Sequence, residues 1–217
     1  MSLSGDASPA SASTALYRVN AGGPAVAGAA GTPAWSEDST ARPSPFANVT
    51  AAGNQVATRA TPADMSHPSL PPGTAEALFQ SARWDPAPAP NLTYAFPVPS
   101  GVAVEARVYL SERNPPQQVV GGRVFDVTVE GATAFHEVDV FARVGADRGL
   151  MLAAPAVSDG VVDVSFAPGV DNPSVDAVEV VTTASAVPPL LAASPSTLAF
   201  PDARVRQTAT QDVTLTN

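Results

Sequence analysis

From residue 92 onward, apolar side chains fall on every second position in short runs, and a glycine or proline turn closes each run. Leu92, Tyr94, Phe96 and Val98 form the first such series, and Val102, Val104, Ala106, Val108 and Leu110 the second. Phe125, Val127 and Val129 form the third, and Val162, Val164 and Phe166 the fourth. A period of two sends successive side chains to opposite faces of an extended strand, so each run offers one face to a core and the other to water. Pro99-Ser100-Gly101, Gly121-Gly122, Glu130-Gly131, Asp159-Gly160 and Pro168-Gly169 separate the runs. Short strands joined by closely spaced turns predict an all-β fold, an antiparallel two-sheet β-sandwich or jelly roll. A parallel α/β sheet would need helical crossovers, for which the connections leave no room. Val104, Val108, Phe125, Val127, Val164 and Phe166 are the expected core.

Composition narrows the function. Proline accounts for 23 of 217 residues, roughly double the usual ~5%, which suits a turn-rich chain. Cysteine is absent, which removes disulfides, thiol catalysis and thiolate zinc sites. The formal net charge is -9 and every basic residue is arginine. So few cations, and no cluster of them, argue against nucleic acid and against anionic lipid as partners. No apolar run is long enough to insert into a membrane. The opening Met1-Ser2-Leu3-Ser4-Gly5-Asp6 has no basic and apolar signal-peptide pattern, and the end at Asn217 falls within a strand-like run. Both ends read as cut from a longer protein.

Residues 1–14 are Ser/Ala-rich and read as a disordered lead-in. Leu16 to Asn20 is a strand candidate. Residues 24–73 are rich in Ala, Gly, Pro and Thr, carry Trp35 and Phe46, and show no period. Thr74 to Gln80 suits a helical turn or a strand entry. Residues 184–193 form a Pro/Ala linker, and a new strand pair is expected from Ser194, with Leu198 and Phe200 on a strand.

Several segments carry a resemblance. Tyr17-Arg18-Val19-Asn20-Ala21-Gly22-Gly23 resembles the opening strand of malectin domains, and Phe79-Gln80-Ser81-Ala82-Arg83-Trp84 resembles a later segment of theirs that ends on an aromatic residue. Gly122-Arg123-Val124-Phe125-Asp126-Val127, Val138-Asp139-Val140-Phe141, and Phe166 to Pro173 with its Asp171-Asn172-Pro173 turn follow in the same order. The resemblance implies a galactose-binding-like jelly roll over residues 15–183 and a sugar site between aromatic loop residues and an aspartate. Carried over residue by residue, Trp84 is the stacking aromatic and Asp171 the aspartate. Where the family has a Tyr-Phe pair, this chain has Arg113-Asn114-Pro115, which makes Asn114 a polar candidate in place of an aromatic. Phe46 is the nearest counterpart of a further loop tyrosine, and Arg83 is a candidate for reaching sugar hydroxyls. Residues 194–217 resemble the incomplete first strands of an ASH-type immunoglobulin-like domain.

Other chemistry is weakly supported. His67 and His136 lie far apart in sequence and give no metal site, and no cofactor is expected. No G-x-S-x-G elbow is present. Glu105, Glu112, Asp126, Glu130, Glu137, Asp139 and Asp163 read as a solvated face, not a hydrolytic acid pair. The expected function is a non-catalytic carbohydrate-binding module of a larger secreted or bacterial surface protein. Its partners are an oligosaccharide or polysaccharide and the neighbouring domains of the full-length chain. The alternative is a structural or adhesive spacer that has no sugar site. For the module, the 24–73 region, Arg83-Trp84, the Arg113-to-Gly121 loop and Asp171 should meet in a shallow groove.

Overall fold

The computed structural model describes residues 13–29, 31–86 and 89–183, together with 192–194 and 214–216. The chain divides into two compact units, Met1–Thr183 and Ala184–Asn217. The strands of the first unit are β1 (Ala15–Ala21), β2 (Ser36–Asp38), β3 (Gln55–Thr58), β4 (Ser81–Trp84), β5 (Leu92–Pro97) and β6 (Ala103–Leu110). They continue with β7 (Val124–Val129), β8 (Ala132–Val138), β9 (Leu150–Val157), β10 (Val161–Val170), β11 (Ser174–Val175) and β12 (Ala177–Thr182). In the second unit β13 (Ala192–Ser194), which starts inside the expected linker, pairs antiparallel with β14 (Thr214–Thr216). Residues 1–12 of the lead-in, most of the linker, and Leu198 and Phe200 lie outside the described residues.

Two sheets make the sandwich, one in the order β2-β1-β12-β6-β9 and the other β5-β10-β7-β8. All pairings within them are antiparallel except β1 with β2, which runs parallel from Val19↔Ser36 to Ala21↔Asp38. The alternating runs face inward as expected. Tyr94, Phe96, Phe125 and Phe166 of the four-stranded sheet are buried against Val19, Val104, Val108, Val178 and Val180 of the other. Rings from one side thus fill the space left by smaller aliphatic side chains on the other, and each fully buried side chain of this size contributes about 1.5–3 kcal/mol.

The outer face of the five-stranded sheet is covered too, which the alternation did not foretell. Tyr109 alternates with inward residues, yet it is buried between Trp35 (ring centroids 5.3 Å apart) and Phe79 (6.5 Å). Leu78 and Phe79 lie on a 3-10 helix over Glu76–Gln80, and with Trp35 and Ala63 they form a second apolar cluster. Residues 24–73, expected as a long loop without a period, therefore contain β2, β3, a one-turn helix α1 (Val49–Ala52) and part of the coat of this sheet, while Thr74 to Gln80 holds the helical turn expected there. Beneath the coat, Arg18, Glu179 and Arg107 lie opposite one another on β1, β12 and β6. The fully buried Glu179 accepts from Arg18 Nε at 2.6 Å, Arg107 Nη1 at 3.3 Å and Tyr109 Oη at 3.0 Å.

A third, three-stranded sheet, β11-β4-β3, stands beside the sandwich. Its link to β1 depends on two glycines. A Cβ on Gly22, whose φ is +71°, would sit 2.4 Å from the Ala82 carbonyl oxygen, and one on Gly23 would sit 2.1 Å from Ser81 Oγ. The end of β1 can therefore pass against β4 only because both residues lack a side chain. Asp38 at the end of β2 locks this junction. It is fully buried and accepts from Arg83 Nε and Nη2 (2.7 Å each), Tyr94 Oη (2.8 Å), Ser44 N (2.7 Å) and Gly22 N (3.3 Å).

Asp38→Ala would leave the buried Arg83 guanidinium without its counter-ion, a loss of about 3–5 kcal/mol. For a domain of this size that corresponds to roughly a 10 °C fall in melting temperature by differential scanning calorimetry. A chain ending at Thr183 should melt within a few degrees of the full chain, because the two apolar clusters lie wholly within the first unit.

Candidate functional site

The pleat of the three-stranded sheet decides which side chains reach its outer surface. Trp84 of β4 pairs with Gln55 of β3 and Ser174 of β11, so these three share one face. Ala57 follows Gln55 at the period of two, and Arg59 follows Ala57 just beyond the strand. Above this face lies a groove of about 300 Å³ lined by Ala57, Arg59, Trp84 and Ser174 on one side and by Asn114, Gln117, Arg123, Asp171 and Asn172 on the other. Trp84 is partly exposed there. Three of the expected site residues, Trp84, Asn114 and Asp171, thus meet in one place.

Arg83 and Phe46 do not join them. Arg83 precedes Trp84 on the same strand and therefore points to the opposite face, where it is 2% exposed and committed to Asp38 and to Asn54 Oδ1 at 2.7 Å. A side chain adjacent to an outward Trp84 on a regular strand cannot also face outward. Phe46 packs on Tyr17 (5.0 Å between centroids) and Phe96 (5.2 Å), because its segment runs beside β5, with Ala95 N donating to Phe46 O at 2.8 Å. Both positions are corrected from the groove to the interior.

The second wall is built around a buried carboxylate. Glu112, read from sequence as solvated, is 2% exposed and accepts from Arg123 Nε at 2.7 Å and from Asn114 N at 2.9 Å. It fixes Arg123 from behind and the start of the Pro115–Gln117 3-10 helix from below. Arg123 Nη1 then donates to the Asn172 carbonyl and stands 3.3 Å from Asp171 Oδ2. Asp171 adopts φ +55°, a left-handed conformation that Asp and Asn tolerate better than most residues. Arg113, which precedes Asn114, is buried and donates to Phe79 O at 2.9 Å and to Thr61 Oγ1 at 2.9 Å. Arg59 and Arg123 line the groove as cations, and neither stood among the site residues expected from the sequence. The signal for Arg59 was the Gln55-Ala57-Arg59 alternation, which is faint because the residues between are small. That for Arg123 was its place one residue before the core run at Val124.

Asp176, next to the groove strand β11, is buried and accepts from Ser111 Oγ at 2.8 Å. Burial pushes its carboxyl well above the ordinary value of 3.8, opposed by the Ser111 hydrogen bond and the charge of Arg113. An unfolded Asp176 ionises near 3.8 while the folded one keeps its proton, so stability is undiminished below that pH and is lost as pH rises toward the folded pKa. Asp176→Asn removes this loss. Its melting temperature relative to wild type should climb as pH is raised from 4 to 7, as followed by circular dichroism.

The arrangement offers one aromatic face, amide and hydroxyl groups, two guanidinium groups and one carboxylate. These groups can stack and hydrogen-bond a polar ligand.

A family model described as Malectin domain matches residues 15–178. A comparison with curated proteins gives no match. Among solved structures, the chain is similar to the ANX2 ectodomain from Arabidopsis thaliana (TM-score 0.63, 16% identity, 77% of this chain and 49% of that one). It is also similar to the plant receptor-like kinase FER (TM-score 0.64, 18% identity, 77% and 49%). A third similar structure contains the plant peptide RALF23 in complex with FER and LLG2 (TM-score 0.61, 20% identity, 79% and 49%). The chain spans about half the length of these proteins, and the likeness is one of fold.

Proposed function

The chain belongs to the malectin domain family, a carbohydrate-binding type of module, and from that premise we propose a lectin-like role without catalysis. The groove holds glucose-containing or related oligosaccharides and tethers a larger protein to them. The observation that carries this reading is the convergence of Trp84, Asn114 and Asp171, far apart in sequence, on one groove. The indole offers a flat apolar surface to the C–H face of a pyranose ring. Asn114, Gln117, Asn172 and Ser174 supply hydrogen bonds for hydroxyls at fixed positions, and Asp171 accepts with Oδ1, which meets Asn172 Nδ2 at a long 3.5 Å. No described helix is long and apolar enough to cross a membrane. Similarity to the ANX2 ectodomain and to the plant receptor-like kinase FER supports a place outside the cell. Residues 194–217 are proposed as the first strands of an ASH-type immunoglobulin-like domain, and the setting as a bacterial surface or secreted protein.

One aromatic platform with exposed polar groups gives weak affinity, with an expected Kd on the order of 10 µM to 1 mM. Calorimetric titration with a panel of gluco-oligosaccharides should show such binding. Trp84→Ala should weaken it at least roughly tenfold while shifting the melting temperature by no more than a few degrees. A wild-type chain that binds no saccharide in the panel would end the lectin reading in favour of a spacer domain.

A further inference from the structure

The groove contains a positive charge that the fold does not neutralise. Arg59 lines the wall that carries Trp84, and its guanidinium donates to the neighbouring Thr58 carbonyl at 2.9 Å. Among the described residues it has no carboxylate within ion-pair distance. Every other described arginine has one, except Arg143 in the helix α2 (Val140–Val144). Arg123, on the facing wall, is enclosed between Glu112 and Asp171. Asp176, on which the charge of Arg59 also acts, is buried in a setting that favours its protonated form.

Building on the saccharide reading, we propose that the groove takes an acidic saccharide, one whose sugar rings carry a C6 carboxylate, with Arg59 as the residue that pairs with it. The planar guanidinium matches a carboxylate through two parallel N–H···O bonds, a geometry that a hydroxyl cannot satisfy. The groove also has a single aromatic side chain in its lining, so stacking alone leaves most of the ligand to polar contacts. The chain as a whole carries a net charge of -9 and repels an anion at long range. Discrimination therefore arises at contact distance, and it persists at about 0.15 M salt, where charges more than about 8 Å apart are largely screened.

The test titrates the full 217-residue chain calorimetrically with cellotetraose, maltotetraose and the C6-carboxylate counterpart of each. The carboxylate member of a pair should bind roughly 5- to 10-fold more tightly than its neutral partner. In Arg59→Gln that ratio should fall close to one, and in Arg59→Lys it should stay above one. Equal affinities for neutral and acidic members would overturn the acidic preference and leave the saccharide reading standing. A preference that survives Arg59→Gln would overturn the role of Arg59. Absence of Trp84-dependent binding to any of the four would remove both readings together.

Discussion

Asp38 has no exposed surface, and every donor it meets comes from a different part of the fold. Arg83 approaches from the three-stranded sheet, Tyr94 from the four-stranded sheet, Gly22 from the end of β1 and Ser44 from the loop that follows Asp38 itself. Two charges taken out of water lose several kcal/mol of hydration each, and only close, fully hydrogen-bonded geometry offsets that loss. The pair therefore adds less to stability than to definition. Any displacement of β2, β4 or β5 leaves a buried charge incompletely solvated, so alternative packings of the three sheets are disfavoured together.

Much of the sandwich was legible because its signal is local. A strand with one face in a core must alternate, and the runs at 92–98, 102–110, 125–129 and 162–166 state that alternation within themselves. The coat over the outer face was not legible, because Tyr109 and Glu179 are buried by Trp35, Phe79 and Arg18, which lie far away in sequence. Glu112 failed as a solvated residue for the same reason. Its partner Arg123 approaches across a loop, and nothing near Glu112 announces it.

The site was legible in part, and the division follows from the pleat. Trp84 and Asp171 could be placed because each belongs to a recognisable segment with its own conformational demand. Arg83 was misplaced since adjacency in sequence was read as adjacency in space, and on β4 the two are opposites. Arg59 follows β3, whose Gln, Val, Ala and Thr carry little periodic contrast, so its facing was hidden until β4 was seen beside it. Phe46 looked like a loop aromatic because the extended segment that aligns it with β5 has no pattern of its own.

The first and last strands of the sandwich are neighbours. Ala15 lies opposite Val181, and just outside them Thr182 N donates to Thr14 O at 2.8 Å while Thr14 N donates to Thr182 Oγ1 at 3.1 Å. The chain thus enters and leaves this unit side by side, along antiparallel strands. Tension pulling these two points apart would load the Thr14–Thr182 pair first and then each ladder bond in turn, peeling β1 from β12 as a zipper opens. Strands pulled along their length share the load over all their bonds at once, whereas this geometry presents them singly. Under such a load the sandwich would hang as a side branch off the line of force and would open from the Thr14–Thr182 end inward, one pair at a time.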